Sequence, residues 1–288
     1  MLERQDNKRG DSYGISDVNY GNASGQVRWS ETRHSGQGNA GKNINWHKGG
    51  KNGGKVKMKN IFIRNAMFIS LGFIILMWII KVIHNTLYID TILDWARSMQ
   101  TYSFYALAYG AFTVIAVTLL LRLSKERYKD IGFNKQSLIK QIGIGFLFGL
   151  LIFVIMNIVI GTIVEAVLPE ESAKGTDLSV LFQSILFLPV WILLAIFKSG
   201  FSEELWRIFT LTRFEKLFGK SGLFFALIVG SVIFGIGHFY QGTSGIIVAA
   251  IRGLLYASVY LRKRRALEAV SARAIFDLIN ITLGYILY

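Results

Sequence analysis

The chain has 288 residues, 52% of them apolar and 14% aromatic, and only 17% carry charge; a soluble globular chain carries about 25%. Its 32 Lys+Arg against 18 Asp+Glu leave a net charge of +14, which suits a nucleic-acid binder or a polytopic membrane protein with one basic side. Cysteine is absent, which excludes disulfides, thiolate metal sites and a cysteine nucleophile.

Residues 1–57 differ from the rest. They hold 13 apolar residues, 11 of the 29 glycines, 10 Lys+Arg and 5 Asp+Glu. Such a stretch cannot bury enough surface to offset its chain entropy, so a disordered, basic, Gly/Asn-rich tail is expected. It reads either as an arm for phosphates or anionic lipid or as a solvated extension. No apolar signal-peptide core is present in it. Met58 opens Met-Lys-Asn-Ile-Phe-Ile-Arg-Asn, a style of start common in inner-membrane proteins, and a purine-rich ribosome-binding sequence would encode Gly53-Gly54-Lys55. A mis-assigned start at Met1 is therefore one expectation. Two of the four histidines, His34 and His47, lie in this tail, leaving His84 and His238.

From Met58 onward seven stretches are long and apolar enough to cross a bilayer: about 62–83, 101–123, 141–167, 179–198, 222–239, 245–261 and 266–287. Only Pro169 and Pro189 interrupt the chain, and no strand-like alternation runs through it, so the spans read as helices. Gly145 and Gly149 in the third form a small-xxx-small pair that permits close helix approach. Residues 58–175 then form N-terminal transmembrane helices and 176–288 a core that carries the chemistry.

The loops orient the bundle. Lys57, Lys59 and Arg64 flank the first span; Arg122, Lys125, Arg127, Lys129, Lys135 and Lys140 follow the second; Arg262 to Arg265 separate the sixth and seventh. These three places share one side if there are seven spans. The other side receives Asp90, Asp94 and Arg97, then Glu165, Glu170, Glu171, Lys174 and Asp177. By the positive-inside rule the N-terminus is cytoplasmic. The expectation is an all-α, polytopic membrane helix bundle of about seven helices, in the inner or plasma membrane. The excess charge is then topogenic, and nucleic acid drops out as a partner in favour of the bilayer.

Ionisable residues at membrane depth are costly and mark function by default. They concentrate in Lys198-Ser-Gly-Phe-Ser-Glu203-Glu204-Leu-Trp-Arg207, in Phe234-Gly-Ile-Gly-His238, at Arg252, and at Glu268, Arg273 and Asp277 of the last span. Arg207 stands four residues from Glu203 and three from Glu204, so it is placed to hold one carboxylate and leave the other free to take a proton from water. His238 is placed to bind a metal or to stabilise an oxyanion. A salt-bridged helix start and a packing histidine are the plainer alternatives. Trp78, Trp191 and Trp206 read as interface or packing residues.

At these residues the chain resembles the CAAX-protease and bacteriocin-processing (CPBP, or Abi) intramembrane proteases, over roughly Gly200 to Leu283. The family's Glu-Glu-x-x-x-Arg is similar to Ser202-Glu203-Glu204-Leu205-Trp206-Arg207, and its Phe-x-x-x-His to Phe234 through His238. Its last motif, His-x-x-x-Asn/Asp, is similar to Arg273 through Asp277. The resemblance implies a helical bundle with a polar cavity in the cytoplasmic half of the membrane. It also implies hydrolysis of a membrane-associated peptide or protein by glutamate-activated water, with histidines that bind metal or stabilise the oxyanion. Glu203, Glu204, Arg207, His238, Arg273 and Asp277 are the implied catalytic residues.

Two departures stand out. Arg207 comes one residue early when both glutamates are aligned, and Ser202 replaces the first glutamate when the arginine is aligned instead. Arg273 replaces a histidine, and a guanidinium has no lone pair for a metal. A catalytic zinc with three protein ligands is therefore disfavoured; His238 and Glu204 would be its remaining ligands. A metal-free endopeptidase is one expectation. A catalytically impaired membrane immunity or regulatory protein is the second, and a transporter built on an Arg252–Asp277 pair the third.

Overall fold

The computed structural model describes residues 52–87, 98–168 and 184–287. Residues 1–51 of the expected tail, the loop bearing Asp90, Asp94 and Arg97, and the loop bearing Glu170, Glu171, Lys174 and Asp177 lie outside the described residues. Gly49–Tyr288 forms one compact unit. Its first helix, α1, runs Asn52–Leu87 and so begins inside the stretch read as tail. Helix α2 is Met99–Leu123, opened by Ser98, whose side chain accepts from Thr101 N at 3.3 Å. Helix α3 is Leu138–Val167, with a π-helical stretch at Ile155–Ile160.

Six helical runs are long and apolar enough to cross a membrane, and the fourth, Ile185–Ile236, is 52 residues long. Straight, it would extend about 78 Å against a hydrocarbon core of about 30 Å. It is not straight. Gly219 has φ 66° and ψ −149°, a conformation essentially confined to glycine, and the chain doubles back there. Phe214 and Phe225 meet with tilted rings, centroids 5.6 Å apart, and the Arg207 guanidinium lies 4.5 Å from the Phe234 ring. Along a straight helix those pairs would be about 16 and 40 Å apart. The run is a hairpin of α4 (185–218) and α5 (220–236), which the sequence separates into its fourth and fifth spans. With α6, Gly242–Lys263, and α7, Ala266–Leu287, the described helices make seven passes, and no strand occurs among the described residues.

The bundle is greasy outside as well as inside. Phe104, Ile158 and Phe224 are 78%, 63% and 66% exposed, the surface of a protein solvated by lipid rather than water. The interior is centred on α4, where Leu205, Ile208, Phe209 and Leu211 are buried, against Tyr256, Ala257 and Tyr260 of α6 and Ala266, Ala269, Ala272 and Phe276 of α7. Small residues set the approach of α3 to α7. A Cβ on Gly145 would lie 2.6 Å from Glu268 O, and one on Gly149 would lie 2.8 Å from Ala272 O and 2.9 Å from Ile275 Cβ. Those two glycines let the backbones touch, and so fix α7 and its charged residues.

Trp78 stacks on Phe214 at 5.6 Å, Trp206 contacts Phe73 and Phe209, and Trp191 meets Tyr102 at 5.5 Å. All three are packing residues. The basic loops gather at one end of the bundle. There Lys125 lies over Phe62 at the start of α1, Glu126 pairs with Arg213 and with Lys216 at 2.5 Å, and Arg264 holds Glu215 through two hydrogen bonds of 2.6 and 2.8 Å. Arg262 and Arg265 share Glu268 at 2.6 and 3.2 Å.

Candidate active site

The chemistry-bearing residues come from three elements that meet at mid-bundle. On α4 a ten-residue π-helical stretch, Leu194–Glu203, leads directly into Glu204. Such widened turns place residues five apart on one face and recur at functional sites. Here the spacing stacks Lys198 over Glu203, with Nζ 2.6 Å from Oε1. Gly200 lets this stretch lie against α7, since a Cβ there would come 2.9 Å from the Ala274 Cβ and 3.2 Å from Val270 O.

Glu204 is fully buried and accepts from Arg207 Nε through both oxygens, each at 3.1 Å. Arg207 continues to Gly253 O at 3.1 Å, which ties α4 to α6. One carboxylate is thus held by Arg207, as the three-residue spacing predicts. The other is not free, and here the structure corrects the expectation. Glu203 meets Lys198 on one side and Arg273 Nη2 at 3.2 Å on the other. Arg273, 3% exposed, is itself held by Asp277, with Nε 3.2 Å from Oδ2. Its Nη1 is buried and has no hydrogen-bond partner.

Phe234 is the hinge of this arrangement. Its ring lies 4.5 Å from the Arg207 guanidinium, 5.4 Å from that of Arg273 and 5.6 Å from Lys81 Nζ, while His238 packs against it at 4.7 Å. The negative face of an aromatic ring attracts each cation, so one side chain gathers charges from α1, α4 and α7. His238 directs Nδ1 to Phe234 O at 3.0 Å and lies within electrostatic reach of Glu203, Arg252 and Arg273. Arg252 lies over Phe276 at 5.1 Å; Asp277 pairs with Arg273, so the Arg252–Asp277 pair behind the transporter reading does not form. Ser202, which stands at the first-glutamate position in one alignment, is buried and donates to Gly110 O at 3.3 Å, an anchor to α2.

All six expected residues therefore meet in one neighbourhood. The residues that sequence reasoning passed over are Lys198, present in the motif segment but given no role, and Lys81, more than a hundred residues away on α1. A cavity of about 60 Å³ opens between α1 and the hairpin, with Lys81, Tyr109, Glu203, Arg207 and Thr210 among its walls.

A divalent metal does not fit this donor set. Among the described residues no three His, Asp or Glu side chains converge. Glu203 is flanked by two cations, Glu204 spends both oxygens on Arg207, and Asp277 is engaged by Arg273. Cations already occupy the places a metal would take.

Residues 183–279, which include every expected catalytic residue, match the family described as type II CAAX prenyl endopeptidase Rce1-like. No curated protein and no solved structure matches the chain. The matched segment covers about a third of the chain, and the resemblance read from its motifs holds: over those residues it is CAAX-protease-like, within a multi-pass membrane bundle.

Proposed function

We propose that this chain, whose α4–α7 region is similar to CAAX prenyl endopeptidases, is an intramembrane endopeptidase that hydrolyses membrane-associated peptides with water activated by Glu203. One observation carries the reading. Arg273 touches Glu203 and Asp277 at 3.2 Å each while its Nη1 is unpartnered, so a base and an oxyanion donor stand side by side, as acyl transfer to water requires. Glu203 takes the proton as water adds to the scissile carbonyl. The developing oxyanion receives a hydrogen bond from Arg273, while His238, its Nδ1–H given to Phe234 O, steadies the Phe234 ring on which Arg273 lies; the proton passes to the departing amide nitrogen. Asp277 keeps Arg273 charged and aimed. Arg207 and Glu204 act as positioning residues, locking α4 to α6 behind the reacting pair. The basic end of the bundle faces the cytoplasm of a cell whose inner or plasma membrane holds the protein; residues 58–175 supply the supporting helices and 176–288 the catalytic core.

A second reading has its own observation. Glu203 has cations on both sides, and one is an arginine where the family has histidine, which suits a binding protein that has lost turnover and acts as an immunity or regulatory factor. Cleavage of a membrane-anchored peptide in proteoliposomes separates the two. The protease reading expects turnover by the native chain that is lost in Glu203→Gln and in His238→Ala. Turnover indifferent to both changes overturns it, and turnover confined to Arg273→His hands the site to the second reading.

A further inference from the structure

The charges of the site leave two cations without an ion pair among the described residues: Arg252, which lies over Phe276 and outside the cavity wall, and Lys81. Lys198, Arg207 and Arg273 each have a carboxylate, in Glu203, Glu204 and Asp277 respectively. Lys81 makes no direct ion pair among the described residues, although Glu203 stands in the same cavity wall and within electrostatic reach. It comes from α1, outside the segment that resembles a protease family, and lies in the wall of the cavity with its ammonium over Phe234 at 5.6 Å. Its end rests against Gly237, where an added Cβ would lie 2.5 Å from Nζ. The lysine's end therefore lies directly on the backbone beside His238. A charged lysine inside a helix bundle at membrane depth is costly and calls for a compensating group.

The rest of the cavity shows what that group is attached to. Met77, Trp78, Trp206, Leu227 and Ile233 form an apolar wall, with Glu203 and Arg207 beside it. About 60 Å³ is room for roughly four waters, or for a small anionic head and its first carbons. An ammonium is a compact point charge that matches a single negative charge without demanding forked geometry. A doubly charged phosphate monoester would leave one charge unmatched in this wall. We infer that Lys81 makes the cavity a subsite for a carboxylate on an apolar stem, fixing the end of a bound chain beside Glu203.

Peptide C-termini and fatty acids both carry that group, and the lipid phase can deliver either. The inference deepens the protease reading and rests on it for where the substrate lies, but it is read by binding rather than by turnover. A chain that binds in this way and never cleaves keeps the subsite and loses only the protease reading.

The test uses the full chain in phosphatidylcholine nanodiscs. Affinities are measured by calorimetry and by quenching of tryptophan fluorescence, since Trp78 and Trp206 line the cavity. Ligands are a short apolar peptide as free acid and as C-terminal amide, and oleate beside oleamide. The native chain is expected to prefer acid over amide at least tenfold. Lys81→Met erases that preference and Lys81→Arg restores most of it. Preference for the peptide acid with none for oleate assigns the subsite to peptides; the reverse assigns it to lipid. Equal affinity for acid and amide in both ligand pairs overturns the inference, and so does a preference that survives in Lys81→Met. The acid-to-amide ratio is internal to each variant, so a general loss of folding lowers both affinities and cannot imitate the expected result.

Discussion

Two charged regions of this bundle are made from the same residue types and behave as opposites. At the basic end, acids and bases from different loops clip the helices together: Glu126 with Arg213 and Lys216, Glu215 with Arg264, Glu268 with Arg262 and Arg265. Most of the cations there stay a third or so exposed, as in Lys216 at 33% and Arg264 at 39%, so water shares the cost of their charge. At mid-bundle Lys198, Arg207 and Arg273 are at most 23% exposed, and Glu204 is fully buried. Water does little there, and each carboxylate is supported by protein cations and an aromatic ring instead. Desolvated ion pairs seldom add net stability over apolar packing. The end cluster therefore reads as architecture and topology, the middle cluster as chemistry held in place at some expense to stability.

The largest effect expected from breaking that contrast is on turnover. Glu203→Gln preserves shape and removes the proposed base, so cleavage of a reconstituted membrane peptide should fall by about 10²–10⁴-fold, at a cost in stability below that of Glu204→Gln, since Arg273 keeps Asp277 and Lys198 is 23% exposed. A large loss of stability with turnover retained would mean that the middle cluster is architecture as well. Next comes Glu204→Gln, which leaves the Arg207 guanidinium, 9% exposed, without its countercharge; a cost of about 3–5 kcal/mol is expected, measured by unfolding in mixed micelles. Gly149→Val sharpens the point from the apolar side. Its branches would press on Ala272 O and Ile275, on either side of Arg273 on α7, for about 1–3 kcal/mol of overpacking strain. Turnover should fall further than that stability loss accounts for, because Arg273 is moved away from Glu203.

How far the sequence could anticipate this depends on the kind of spacing involved. The seven passes follow from hydropathy and loop charge alone, because the bilayer demands them. The hairpin between the fourth and fifth passes turns on a single backbone angle at Gly219. Glu204 with Arg207 and Arg273 with Asp277 are three and four residues apart, and ordinary helical geometry brings each pair together. Lys198 and Glu203 are five apart and would lie on different faces of an α-helix; only the π-helical stretch Leu194–Glu203 aligns them. That is why the sequence leaves one of the two glutamates free, whereas Glu203 proves to be held as well. Lys81 carries no local signal at all, since its place beside Phe234 and Gly237 arises from the packing of α1 on the hairpin.

The smallest effect belongs to the basic end, and there it tests the contrast most sharply. Glu215 and Arg264 form a forked pair with hydrogen bonds of 2.6 and 2.8 Å, better in geometry than any single contact Arg273 makes with Glu203. If geometry set the value of an ion pair, Glu215→Gln would be the more damaging change. Exposure argues the reverse. Both side chains remain about a third exposed, so hydration supports the arginine once the carboxylate is gone, and salt screens what attraction there was. The expected cost is about 0–1 kcal/mol, shrinking further as ionic strength rises, with turnover unchanged. A loss approaching that of Glu204→Gln would show that exposure does not set the value of these pairs, and the division between the two clusters would have to be redrawn.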